Sequence, residues 1–162
     1  MPDDYEKLKE EMSRLGVVVL ENEKVTVERD GESITLMGLH DPSFANLVEE
    51  EDCKNDIDEH LANLVDKDSF CMVLSHRPQY FENYVAANVD LVFSGHFHGG
   101  QVRLPFAGGL YVPSQGFFPD YDAGIFRENG TIMIVSRGIG NGHPVPRVNN
   151  RPEIVVVELV IK

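Results

Sequence analysis

The chain is poor in cysteine, poor in basic residues and free of long apolar runs, and each shortage closes off a class of protein. Cysteine occurs twice, at Cys53 and Cys71, with no Cys-x-x-Cys pair, so neither a disulfide framework nor a thiolate metal ribbon is encoded. This usage is compatible with a reducing cytoplasm, the expected location. Lys and Arg together number 14 against 27 Asp and Glu, a formal charge of -13. Nucleic acid and anionic membrane surfaces are bound by clustered Lys and Arg, so neither is an expected partner. No apolar run approaches the roughly 20 residues that span a bilayer. Residues Pro2-Asp3-Asp4-Tyr5-Glu6-Lys7 are polar and acidic, unlike a secretory signal. Internal repeats, linkers and low-complexity tracts are missing too. The acidic stretch from Asp41 to Asp68, densest at Glu49-Glu50-Glu51-Asp52, lacks the spaced ligands of a calcium-binding loop and reads as a solvated helix face or loop.

What is present suits one domain. A chain of 162 residues, 42% apolar, can bury one core and is too short for two ordinary domains. Tyr5, Leu8, Met12 and Leu15 recur at helical steps, with Asp3 or Asp4 as cap and Gly16 as stop. Val17 to Leu20 reads as a short buried strand. Lys24 to Arg29 and Ser33 to Leu39 read as a hairpin turning at Asp30-Gly31. A helix is expected from about Asn55 to Val65, with Ile57, Leu61, Leu64 and Val65 as its apolar stripe. Later, Gly124 to Arg127 and Thr131 to Ser136 should form a hairpin around Glu128-Asn129-Gly130, Leu110 to Val112 a short strand, and Ile154 to Ile161 the last strand. Gly138 to Pro152, full of Gly, Pro and Asn, reads as a long loop near a site.

The most regular part is a strand-helix-strand unit across 70–94: the apolar run Phe70 to Ser75, a helix beginning near Pro78, and the apolar run Asp90 to Ser94. Such a unit makes its two strands parallel, with both C-terminal ends on one sheet edge, where α/β proteins place their chemistry. His76 leaves one end. His96 leaves the other, inside Gly95-His96-Phe97-His98-Gly99-Gly100. Neighbouring strands lie about 5 Å apart, so both imidazoles could reach one ion. The fold class is therefore α/β, and the spacing predicts a metal site.

Leu74-Ser75-His76-Arg77-Pro78 and the run from Val89 through Gly95-His96-Phe97-His98-Gly99-Gly100-Gln101 to Pro105 resemble the C-terminal half of calcineurin-like metallophosphoesterases, in particular the bacterial predicted phosphohydrolase subgroup. Gly108-Gly109-Leu110-Tyr111 and Ser136-Arg137-Gly138-Ile139-Gly140 fit the same subgroup. The resemblance implies a β-sandwich of mixed sheets flanked by helices, two divalent metal ions at the strand ends (Mn, Fe, Zn or Mg) and a bridging hydroxide that attacks a phosphomonoester or phosphodiester. It assigns His76 and His96 to one ion and His98 to the other. The family's Asp-x-His, Gly-Asp-x-x-Asp and Gly-Asn-His-Asp/Glu motifs are not found in residues 1–162. Those motifs carry the bridging aspartate, and a two-metal site needs its ions about 3.5–4 Å apart with negative ligands between them. The expectation is thus a single domain over 1–162, the C-terminal portion of a phosphoesterase domain, holding half an active site and inactive or weak alone.

Further candidates surround this set. Arg77, Arg103 and Arg137 could clamp phosphate oxygens or pair with surface carboxylates. Gln101 is placed to orient a histidine. His143 lies in the Gly/Pro loop and could approach a substrate. Asp41, after His40, could reach the same edge, although a turn before Pro42 explains the pair without function. His60 reads as a solvent-facing helix position, and Phe117, Phe118 and Tyr121 as loop packing. Two alternatives to the phosphoesterase stand beside it. One is a non-enzymatic, degenerate metal-binding module that self-associates, as a homo-oligomer or with a missing N-terminal half, because half a sandwich leaves apolar faces uncovered. The other is a single-metal hydrolase using His76, His96 and His98 with Asp41 or Asp122.

Overall fold

Asp30 and Gly31 both take positive φ (54° and 87°), so β1 (Glu23–Arg29) and β2 (Glu32–Gly38) close on a two-residue turn with Arg29 opposite Glu32. Asn129 and Gly130 (46° and 94°) do the same for β9 (Gly124–Glu128) and β10 (Thr131–Val135). Both hairpins fall where the turn residues predict them. The computed structural model describes residues 2–46, 49–112, 115–140 and 146–160.

Between the hairpins lie α2 (Glu50–Leu64), β3 (Phe70–Leu74), α3 (Phe81–Ala86) and β4 (Leu91–Ser94), with α1 (Pro2–Arg14) at the start. They build one six-stranded sheet in the order β1-β2-β3-β4-β10-β9. The central pairings β2–β3, β3–β4 and β4–β10 are parallel, and both outer pairings are antiparallel. Downstream of β4 the chain makes two short ladders, β5 (Arg103–Leu104) with β6 (Gly108–Gly109) and β7 (Tyr111–Val112) with β8 (Gly116–Phe117). The α/β class and the strand-helix-strand unit at 70–94 are as expected. No helix among the described residues is long and apolar enough to cross a membrane.

One sheet face carries the main core. Met37, Val73, Val92 and Met133, one from each central strand, are fully buried against Cys53, Ile57 and Leu61 of α2 and Phe81 and Tyr84 of α3. Successive side chains alternate between faces. The intervening residues Ile34, Leu36, Met72, Leu91, Phe93, Ile132 and Ile134 therefore make a second apolar layer on the opposite face. That face is only partly covered: Met72, Leu91 and Ile134 are buried, while Phe70 and Leu74 remain 41% and 42% exposed. Strands apolar on both sides are the mark of a sheet built to be covered twice.

Three sequence expectations change. Helix α2 starts at Glu50 rather than near Asn55, because Glu50, Glu51 and Asp52 sit in its first turn, where the helix dipole favours negative charge. Val17 to Leu20 is no strand. It follows a helix stop in which Gly16 (φ 82°) donates to the Ser13 carbonyl and Val17 to that of Met12, and Val18 stays 69% exposed. Nor does the described part of the last expected strand, 154–160, pair with any strand, and Val156 is 88% exposed. Its β-branched residues favour an extended backbone, but a ladder needs a partner edge, which propensity does not supply. Cys53 and Cys71 are both free and buried, so Cys71 packs as the small hydrophobe expected.

Replacing Leu61, 1% exposed at the α2–sheet contact, by Ala should cost about 2–5 kcal/mol by urea denaturation. Ile154→Ala, at an exposed unpaired site, should stay within about 0.5 kcal/mol.

Candidate functional site

Because β3 and β4 run parallel in register (Met72 opposite Leu91, Leu74 opposite Phe93), their following loops leave from one edge side by side. The β3 loop is pinned from below. Tyr84, wholly buried on α3, donates its hydroxyl hydrogen to the Arg77 carbonyl (2.9 Å), which can only accept, so Ser75 Oγ donates to Tyr84 (2.6 Å). The Gly95 amide then donates to the His76 carbonyl (3.3 Å), tying the two loops together.

On this base His76 Nε2 and His96 Nδ1 come within 2.8 Å, their rings 4.5 Å apart and steeply inclined. Two nitrogens bound at 2.0–2.1 Å to one ion stand about 2.9–3.4 Å apart, so this pair needs only a small adjustment to share a cation. His76 is exposed at the sheet edge, but partial loss of water around its ring still lowers the imidazole pKa, against the opposing charge of Asp41 and with Arg77 adding to the effect. Burial, then His76 and Arg77, takes His96 down to about 4. Both rings are therefore neutral near pH 7, the state that ligates metal.

The backbone here is held in an unusual conformation. His96 and His98 both have positive φ (67° and 51°), uncommon for side chains with a Cβ and concentrated at functional sites. Gly99 and Gly100 continue in the same region (73° and 70°), and a Cβ on Gly99 would run into the Arg137 side chain.

His98 lies apart from the pair. Arg147 Nη2 donates to its Nδ1 (3.1 Å), and a guanidinium cannot accept, so that nitrogen carries the lone pair. Its carbonyl takes a hydrogen bond from Asn150 (2.7 Å). Among the described residues, no third imidazole, thiol or carboxylate ligand atom joins His76 and His96 within 4.8 Å. The residues present thus fit two ligands of one divalent ion and do not furnish the bridging carboxylate of a two-ion centre.

The candidate arginines all have partners. Arg77 donates from Nε and Nη2 to both oxygens of Asp41 (2.8 and 2.7 Å). Burial of Asp41 acts to raise its pKa, but the Arg77 and Ser43 hydrogen bonds outweigh it and hold the carboxyl well below the usual range. Arg103 pairs with Asp122 (2.6 Å) and the Gly99 carbonyl (2.8 Å), and Arg137 with Glu153 (2.9 Å). Asp41 and Asp122, the carboxylates considered for a single-metal hydrolase, are thus both held by guanidinium groups. Gln101 is half-buried, its carbonyl accepting from the Val148 amide (2.9 Å). His143 lies outside the described residues. Tyr121 packs between Phe81 and Phe126, while Phe117 and Phe118 stay exposed. His60 is not solvent-facing but half-buried against Asn22.

Arg147 and Asn150 were not singled out from the sequence. Asn150, 3% exposed, also donates to the Gly100 carbonyl (2.5 Å) and clamps the histidine loop. Only the Gly/Pro richness of that loop signalled its proximity.

A half-buried neutral imidazole makes the metal-free fold sensitive to acid. The unfolded chain takes up a proton at His96 near the ordinary value of about 6.5, the folded chain only near 4. Stability from this group is thus present above about 6.5 and lost as pH falls toward 4. Proton NMR of the metal-free chain should show the His96 ring titrating near 4, and His96→Gln should flatten the wild-type loss of stability across that window.

Several curated proteins are similar to this sequence. The chain is 32% identical over 130 residues to the metallophosphoesterase YkuE of Bacillus subtilis, an alignment covering 80% of this chain and 42% of the relative. It is 35% identical over 89 residues to the phosphodiesterase YaeI of Escherichia coli, covering 55% and 32%. It is 28% identical over 145 residues to the UDP-2,3-diacylglucosamine pyrophosphatase LpxG of Chlamydia trachomatis, covering 86% and 40%. The chain spans less than half the length of each of these three. No family model and no solved structure matches it. With its paired strand-end histidines and these likenesses, the chain belongs to the metallophosphoesterase superfamily.

Proposed function

We propose that this chain is the C-terminal portion of a metal-dependent phosphoesterase domain, and that His76 and His96 hold one divalent ion at its active centre. The observation that carries this reading is the 2.8 Å approach of two neutral imidazoles at the ends of parallel strands. When bound, such an ion polarises a phosphoryl oxygen and lowers the pKa of a water. His76 and His96 supply the neutral ligands. The strained loop of His96 and His98, clamped by Asn150, keeps the second imidazole of that loop at the same edge. His98 serves a second ion in this reading, which requires it to give up its contact with Arg147.

These residues bring no carboxylate to the His76–His96 pair among the described residues. Activity therefore depends on carboxylate ligands from a further stretch of polypeptide, and the partly open apolar sheet face is where the second layer of a sandwich would pack. The substrate class is a phosphomonoester or phosphodiester. Arg77, Arg103 and Arg137 enter as positioning residues, each already paired with a carboxylate. The two buried free thiols suit a reducing compartment, so a cytoplasmic location belongs to the same reading. The partly open face also favours a second reading, a non-enzymatic module that self-associates through it.

Hydrolysis of bis(p-nitrophenyl) phosphate with Mn²⁺ separates the two. The chain fused behind the N-terminal half of the YkuE relative should turn over substrate, the chain alone should be near background, and His96→Ala should lower the fused activity by about 10²-fold or more. A fused protein indifferent to His96→Ala would sink the proposal. Concentration-dependent dimers with no activity in any form would favour the self-associating module.

A further inference from the structure

His40, Asp56 and His60 meet where the open end of the β1–β2 hairpin packs against α2. His40 follows β2, Asp56 and His60 are one turn apart on α2, and Asn22 immediately precedes β1. Residues four apart on a helix project from the same face, so Asp56 and His60 reach the β1–β2 hairpin together. His60 Nε2 lies 3.4 Å from Asp56 Oδ1, and His40 Nε2 lies 3.8 Å from Asp56 Oδ2. The ring centroids are 5.6 Å apart, and one ligand atom from each of the three residues falls within 4.8 Å of the others. All three side chains are half-buried, at 20–30% exposure.

Asn22 shows which way the His60 lone pair points. The His40 amide donates to Asn22 Oδ1 (3.1 Å), which fixes the carboxamide orientation and turns Nδ2 toward the rings. That NH₂ group, a donor only, stands 2.8 Å from His60 Nε2 and 3.2 Å from both ring nitrogens of His40. His60 Nε2 must therefore offer it a lone pair, while the equal distances to both His40 nitrogens set the amide against the His40 ring. The donor atoms of His40, Asp56 and His60, gathered within 4.8 Å of one another, are close enough for a small cation to draw them together. Asn22 itself is in the left-handed region (φ 55°), so this arrangement is held at some backbone cost.

We propose that His40, Asp56 and His60 form a separate binding site for a borderline transition-metal ion, Zn²⁺ by preference, that ties the β1–β2 hairpin to α2. Two imidazoles and one carboxylate are a recurrent zinc ligand set with a fourth position for water, and they suit Zn²⁺, Co²⁺ or Ni²⁺ better than the oxygen-seeking Mg²⁺ or Ca²⁺. The formal charge of -13 and the acidic first turn of α2 favour cation approach. Binding requires the Asn22 amide to swing aside, which its single pair of side-chain torsions permits. None of these residues belongs to the His76–His96 pair, so the site stands independently of the phosphoesterase reading.

Equilibrium dialysis against Zn²⁺ alone tests it on the whole chain carrying His76→Ala and His96→Ala, which removes the strand-end pair. About one ion per chain should remain bound, and adding His60→Ala should remove it. The same protein loaded with Co²⁺ should show the intense visible bands of a four-coordinate ion. Circular dichroism checks folding, and where His60→Ala does not fold, the isosteric Asp56→Asn serves in its place, with loss of the ion again expected. No zinc in the parent variant, or zinc undiminished by either substitution, would overturn the proposal and leave a hydrogen-bonded cluster closed by Asn22.

Discussion

Parallel pairing of β3 with β4 is the constraint on which the rest of the molecule hangs, because it delivers two chain exits to one edge of the sheet in adjacent positions. The pairing is enforced by burial rather than by polar contacts. Val73 and Val92 must face α2 and α3, and Met72 and Leu91 must face the opposite side, so a slip of one residue would reverse every side chain in the strand. Once the register is set, Ser75 and Gly95 stand next to one another. Tyr84, Ser75 and the Arg77 carbonyl then lock the first loop onto the buried helix. The close approach of His76 and His96 is set up by the core and completed by the hydrogen bond between their facing ring nitrogens.

Around that approach the charged groups are arranged in local pairs. Arg77 with Asp41, Arg103 with Asp122 and Arg137 with Glu153 surround the loops, each guanidinium satisfied by a carboxylate, so the excess of negative charge on the chain is partly neutralised where the loops need anchoring. The histidine pair is left as the neutral, partly dehydrated element at the edge. Low imidazole basicity at His96 and positive backbone φ at His96 and His98 both oppose easy folding, and both are borne by a sheet whose central strands are buried on one face and apolar on the other. That second apolar face, with 154–160 extended and unpaired beside it, is the least satisfied part of the molecule.

Much was legible in the sequence where the signal is local. Asp30-Gly31 and Asn129-Gly130 encode their hairpins because only residues tolerant of positive φ close such turns. Alternating apolar runs located β2, β3, β4 and β10. Gly16 marked the end of α1. The reading failed where an apolar segment needs a partner: Val17 to Leu20 and 154–160 carry strand-like residues, yet no edge receives them. It failed also at His60, whose spacing on α2 looked external until the β1–β2 hairpin placed Asn22 over it.

By itself, then, the sequence determined the strand-helix-strand unit, the turns, and which histidines end up at strand termini, because periodicity and turn stereochemistry act over a few residues. The tertiary structure decided which of them meet. His76 and His96 converge because their strands are neighbours. His98 turns to Arg147, 49 positions away, because the loop that carries Arg147 and Asn150 folds back over it. Each arginine finds its carboxylate across 16 to 36 positions. Contacts at such separations depend on how helices and loops pack upon the sheet, and no local pattern of residue types records that packing.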